Sequence, residues 1–172
     1  WFIDGRVMRP RVEGTIAQGE MTSDTHFFMG IIDDDWAIDF PDSLTVNKAF
    51  VERGQNRFNI YCSPCHGVSG FGDGLVHKRA MTLVETGANG TSWVAPKNLH
   101  EELIKEQPVG QLFNTITNGI RTMGAYASQI PTQDRWAIVS YIKALQFSQD
   151  ADPSLVDGVD GLPSKTIEGS VE

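Results

Sequence analysis

The chain has 172 residues, 40% of them hydrophobic, and a formal net charge of −8. That length builds one core with extensions and not two ordinary domains, and 14 Lys and Arg without a basic run leave no footprint for nucleic acid. The longest apolar stretch, "FFMGII" at 27–32, falls far short of the roughly 20 residues a membrane helix needs, so no transmembrane span is expected in this chain.

Charge is unevenly placed: residues 1–46 carry −6, residues 47–148 carry +3, and residues 149–172 carry −5. The chain opens at Trp1 without an export signal, and a signal or lipid anchor is expected upstream of the residues shown. Residues 1–42 mix Gly, Pro and charges without a helical period and read as an extended arm with short strands at most. Its Trp1, Phe2, Phe27, Phe28, Trp36 and Phe40 either lie on the chain's own surface or anchor the arm in a neighbouring subunit.

The pattern changes at Ser43. In "SLTVNKAFVERGQNRFNIYC", Phe50, Gly54 and Phe58 recur four apart with Val51 and Tyr61 beside them, which predicts an amphipathic helix capped by Thr45 or Asn47 and running into the cysteines. Glycine inside a helix costs about 1 kcal/mol against alanine, so Gly54 points to another backbone passing close by. "HGVSGFGDG" suits a tight loop, and "HKRAMTLVE" is a helix or packing loop. Short helices are expected at 100–106 and 109–119. A last helix opens after Pro131, with Asp134 near its positive end and Ile138, Tyr141, Ile142 and Leu145 on one face. Residues 149–172, rich in Asp, Gly, Ser and Pro, form an acidic irregular tail that cannot build a core alone. The central domain is thus expected over 43–148.

Both cysteines lie in "IYCSPCHG", three apart, with His66 directly behind. Chance would produce that arrangement roughly once in four thousand such chains. Structural zinc would need a fourth ligand beyond Cys62, Cys65 and His66; His26, His77 or His100 could supply it, but none sits in a second ligand pair. A thioredoxin-like dithiol expects a preceding strand, whereas a helix leads in here. A disulfide across so short a loop adds little stability. The reading that remains is C-x-x-C-H as a covalent attachment site for one c-type haem, with His66 on the iron.

A second axial ligand would separate electron transfer from chemistry at iron. Met123 stands 57 residues past His66 in the Gly-punctuated "TNGIRTMGAYASQIP", where a chain that has wrapped a haem must cross its far face. Met81, a histidine and an open site are the alternatives. The carbonyl of Pro96 is a candidate partner for the other His66 nitrogen, and Trp93, Arg121 and Tyr126 either meet the propionates or serve as ordinary packing and surface residues.

With "RGQNRFNIYCSPCHG" and "NGIRTMGAYASQIPTQDRWAIVSYIKALQ" in view, the chain resembles a class I-type monohaem cytochrome c. More narrowly, through the arm string "DGRVMRPRVEGTIAQG", it resembles the monohaem cytochrome subunit of bacterial alternative complex III, a quinol-oxidising membrane assembly. The resemblance implies an all-α haem domain between an N-terminal arm and a C-terminal tail. It also implies thioethers at Cys62 and Cys65, and His66 and Met123 as axial ligands. The expected setting is the periplasmic face of the inner membrane, lipid-anchored or peripheral, beside other subunits such as a multihaem cytochrome. Electrons would leave to an oxidase or soluble carrier, and no catalytic site of its own is expected. The runner-up is a free periplasmic carrier, and a third reading is an enzyme with an open distal position. One departure stands out: the family places Pro after the ligand Met, and here that residue is Gly124.

Overall fold

The computed structural model describes residues 12, 14, 15, 23–87 and 92–152. Trp1, Phe2, Met8, Met21, most of the arm string and the tail from residue 153 lie outside them.

Two long helices carry the fold. Helix α2 (Lys48–Tyr61) starts where the Asn47 side chain accepts the Phe50 amide (3.0 Å), so Asn47 and not Thr45 is its cap. Helix α7 (Thr132–Asp150) starts behind Pro131. The two cross at Gly54, where a β-carbon would overlap the Ala137 carbonyl and lie 3.0 Å from Tyr141 Cβ. This is the close backbone approach that the helical glycine signalled. Phe58, Trp136, Ala137, Ile138 and Val139 around the crossing are fully buried. The α7 face is broader than the four expected positions, because neighbouring elements cover it from both sides.

Charge reinforces the crossing. Asp134, in the first turn of α7, accepts from Arg53 Nη2 (2.9 Å) and Arg57 Nε (3.1 Å) while staying buried. Hydrogen bonds to charged groups contribute about 1.5–3 kcal/mol each, and the two guanidiniums are partly solvated. Asp134→Ala is therefore expected to lower stability by about 2 kcal/mol, read from chemical denaturation of the haem-loaded protein; an unchanged midpoint would mean that the arginines are satisfied by water alone.

Around this pair lie α1 (Thr25–Met29), β1 (Ile31–Ile32), β2 (Asp35–Trp36), α3 (Ser63–His66), α4 (Leu75–Glu85), α5 (Glu102–Lys105) and α6 (Val109–Asn118). The architecture is all-α apart from the antiparallel β1–β2 hairpin, which pairs Ile31 with Trp36 and Ile32 with Asp35. Its two turn residues, Asp33 and Asp34, both take positive φ (47° and 65°), the conformation of a tight hairpin turn.

Residues 24–41 are stitched to the core. Trp136 Nε1 donates to Phe27 O (2.8 Å), the Ala37 amide to Gly30 O (2.9 Å), and the Gly110 amide to Ala37 O (2.8 Å). Gly30 and Gly110 meet backbone to backbone. Phe27 and Phe40 pack against the chain's own core, and the Phe113 and Trp136 rings stack at 4.3 Å.

Candidate haem-attachment site

Helix α2 delivers the site. Cys62 closes α2, its amide donating to Phe58 O (2.8 Å), and its carbonyl opens the single turn of α3 by accepting from Cys65 (3.1 Å) and His66 (2.8 Å). Residues at i, i+3 and i+4 of a helical turn share a side, so the three candidate ligating side chains emerge together. Cys62 is buried, Cys65 half-buried, and both thiols are free.

Burial, and secondly the neighbouring Cys65, push the Cys62 thiol up to about 12. A reactive dithiol needs the opposite shift toward thiolate. Among the described residues no group of three or more His, Cys, Asp or Glu side chains, Cys62, Cys65 and His66 included, is arranged to hold a metal ion of the zinc kind. The spare histidines are engaged locally: His26 Nε2 donates to Asp39 O (2.9 Å), His77 Nδ1 accepts from Trp93 Nε1 (2.8 Å), and His100 Nε2 donates to Ser69 O (2.7 Å).

His66 is fixed by one nitrogen. Its Nδ1 donates to Lys97 O (3.1 Å), and since a carbonyl only accepts, Nε2 is left with a bare lone pair. Burial lowers the pKa of the ring, partly opposed by the Lys97 carbonyl, so the neutral form is favoured. The partner is Lys97 and not the expected Pro96. The Pro96 carbonyl is turned toward Gly72, where a β-carbon would come within 2.6 Å of it and where φ is +81°; only glycine fits that position without strain. The Gly72 amide in turn donates to His66 O (2.8 Å), closing the loop beneath the imidazole.

Met123 is half-buried on the loop between α6 and α7. Ile120 and Met123 exchange backbone hydrogen bonds (3.1 and 2.9 Å), and Arg121 between them has φ +53°. Tyr126, three residues on, is tied by its amide to Ile116 O (3.0 Å), and its hydroxyl donates to Tyr61 O (3.4 Å) at the end of α2. The pKa of its phenol is raised, by burial first and then by Cys62 and Cys65, and the bond to Tyr61 sets Tyr126 against the end of α2. Met81 lies on the exposed side of α4. Of the residues considered for propionates, Trp93 gives its indole N–H to His77, Tyr126 its hydroxyl to Tyr61, and Arg121 is exposed.

These residues fit a covalently attached haem: two free thiols one helical turn apart, and a neutral imidazole held by Nδ1 with Nε2 available. Among the described residues no helix is long and apolar enough to cross a membrane.

The model of the family described as "Cytochrome C oxidase, cbb3-type, subunit III" matches residues 49–142, more than half of the chain and all of the attachment turn. No curated protein matches. Among solved structures, a chain of the reducing HAO-like protein complex of Kuenenia stuttgartiensis is similar, at 19% identity and a TM-score of 0.47, over 59% of this chain and 46% of that one. The present chain spans less than half the length of that neighbour.

Proposed function

Because this chain belongs to the cytochrome c family described as cbb3-type cytochrome c oxidase subunit III, we propose that it works as the monohaem subunit of a quinol-oxidising membrane complex of the alternative complex III type. Its fold is the all-α cytochrome c fold, and the family's business is electron transfer through a covalently bound c-type haem. A haem so held supplies a one-electron ferric/ferrous couple. In the proposed assignment Cys62 and Cys65 would form the thioethers, His66 Nε2 would bind the iron, and Met123 would supply the second ligand. One haem on these residues belongs to the same proposal, since one attachment uses both cysteines.

The observation that carries this reading is the His66 to Lys97 hydrogen bond beside two free thiols on one turn. It orients the proximal ring, fixes its tautomer and raises its basicity. Six-coordinate ligation would keep oxygen from the iron, so the residues serve exclusion as much as binding. The periplasmic setting, an upstream anchor, a multihaem donor and an oxidase or soluble acceptor belong to the same proposal. So does the boundary at 148, while the partner-contacting arm expected over residues 1–42 is confined in this proposal to the part before residue 24, because residues 24–41 pack on the core; the arm string supports the complex. A free periplasmic carrier is the second reading, favoured by Phe27 and Phe40 lying on the chain's own core and not facing outward.

The test separates the two. Since residues 24–41 are part of the packed domain, only residues 1–22 are deleted. The truncated protein is expected to carry one haem per chain by pyridine haemochrome and to lose its membrane partners on purification. Retained co-purification argues against the arm as tether; a full-length chain that never co-purifies supports the free carrier.

A further inference from the structure

Three hydrogen bonds join segment 97–100 to the attachment turn and the loop behind it. His66 Nδ1 donates to Lys97 O (3.1 Å), the Leu99 amide to Gly70 O (2.8 Å), and His100 Nε2 to Ser69 O (2.7 Å). The first bears on the iron ligand; the other two decide where its acceptor sits. From the opposite side, buried Gln146 on α7 donates to Leu99 O (2.7 Å), and Asn98 Oδ1 accepts the His100 amide (2.9 Å). The segment is held between α7 and the loop.

His100 is the unexpected member. Its Nε2 must carry the hydrogen, because the Ser69 atom it meets is the backbone carbonyl oxygen, which only accepts. That leaves Nδ1 as a bare acceptor, shielded from solvent and without a partner among the described residues. A buried unpaired acceptor carries an uncompensated desolvation cost. The ring's packing, with Phe71 at 4.7 Å and Gly70 beneath it, could be supplied by leucine without that cost. What an apolar side chain cannot supply is the bond to Ser69.

We propose that His100 is a positioning residue for the redox couple: by holding Ser69 it locks the loop to segment 97–100 and sets the hydrogen bond from His66 to Lys97. The proposal rests on His66 as the proximal ligand. A firm N–H···O bond makes the proximal imidazole more basic and favours the ferric state. Without the Ser69 bond the Lys97 carbonyl drifts, the proximal bond weakens, and the ferrous state gains.

The experiment compares reduction potentials of the full-length, haem-loaded protein with His100→Leu and His100→Gln, alongside thermal unfolding. Glutamine can place an N–H near the Nε2 position; leucine cannot. His100→Leu is expected to shift the equilibrium constant for reduction three- to tenfold toward the ferrous form, a tenfold change being 59 mV for one electron. His100→Gln is expected to stay within twofold of wild type. A leucine variant that melts earlier but keeps the wild-type potential overturns the proposal, as does an equal shift in both variants. If the leucine variant takes up no haem, His100→Asn, polar but too short to reach Ser69, carries the same expectation. Wild-type protein without low-spin, histidine-ligated haem would overturn the His66 assignment itself, an outcome distinct from an unmoved potential in a histidine-ligated protein.

Discussion

Met123→Ala will give a protein with its full complement of haem that has lost the ferric sulfur-to-iron absorption band and whose midpoint potential has fallen by on the order of 0.1 V or more, within the ~0.8 V that axial ligands span. The attachment is untouched, because Cys62, Cys65 and His66 are set by the end of α2 and by Lys97. Only the proposed second ligand goes. A neutral thioether sulfur favours ferrous iron, so its removal stabilises the ferric state and lowers the potential. The Ile120–Met123 backbone pair and the Tyr126 to Tyr61 bond hold the loop without help from the Met123 sulfur, so stability changes less than potential. Gly124→Pro is the control: nothing lies within 4 Å of where a side chain would begin at Gly124, and the band is expected to persist there. A wild-type protein without the band, or an alanine variant that keeps it, removes Met123 from the iron. Attention then passes to Met81 or to an open distal site that turns over peroxide or a small anion.

Sequence was most informative where chemistry is contiguous. Cys62, Cys65 and His66 sit within five residues, and the structure brings them onto one turn without needing a distant partner. The long helices were legible because period and caps are local, and Gly54 because a glycine in a helix interior needs a reason. The proximal carbonyl was missed by one residue. Nothing in "APKNL" distinguishes the Pro96 carbonyl from that of Lys97, since the choice depends on which one the fold turns to His66 and which it lays against Gly72. Helix α1 escaped, and β1 and β2 were legible only as short strands without their pairing, for another reason: five helical residues and two pairs of strand residues have little propensity of their own. They are fixed by Gly30 meeting Gly110 and by the Trp136 indole reaching Phe27, contacts more than 75 residues apart. In the same way nothing in the arm's composition marked Asp33 and Asp34 as the residues that turn the hairpin. Spacing proposed Met123, but nothing local to a methionine tells a ligand from a packing residue.

Gly54→Val will cost more than about 4 kcal/mol and leave little haem-loaded protein, and Gly54→Ala will destabilise as well, although alanine gains about 1 kcal/mol of helix propensity over glycine. The obstacle is a backbone carbonyl: the new β-carbon overlaps Ala137 O, and Ala137 and Ile138 are fully buried inside α7. No side chain can rotate away, so α2 and α7 must move apart. Small-to-large changes in packed cores cost typically 1–3 kcal/mol even where side chains can adjust; here the Phe58–Tyr141 ring contact (5.3 Å) and the Arg53 and Arg57 bonds to Asp134 loosen too. If chemical denaturation shows Gly54→Ala to be stabilised by about 1 kcal/mol, the helices do not touch there and propensity alone decides. The displacement also has a spectroscopic reading. Helix α2 ends at the attachment turn, and the Met123 loop leads directly into α7, so the crossing sets the distance between the two proposed axial ligands. A Gly54→Ala protein that still matures is therefore expected to keep its thioethers and its proximal bond while the sulfur-to-iron band weakens, because the ligand carried into α7 is the one that separates from an iron fixed to the end of α2.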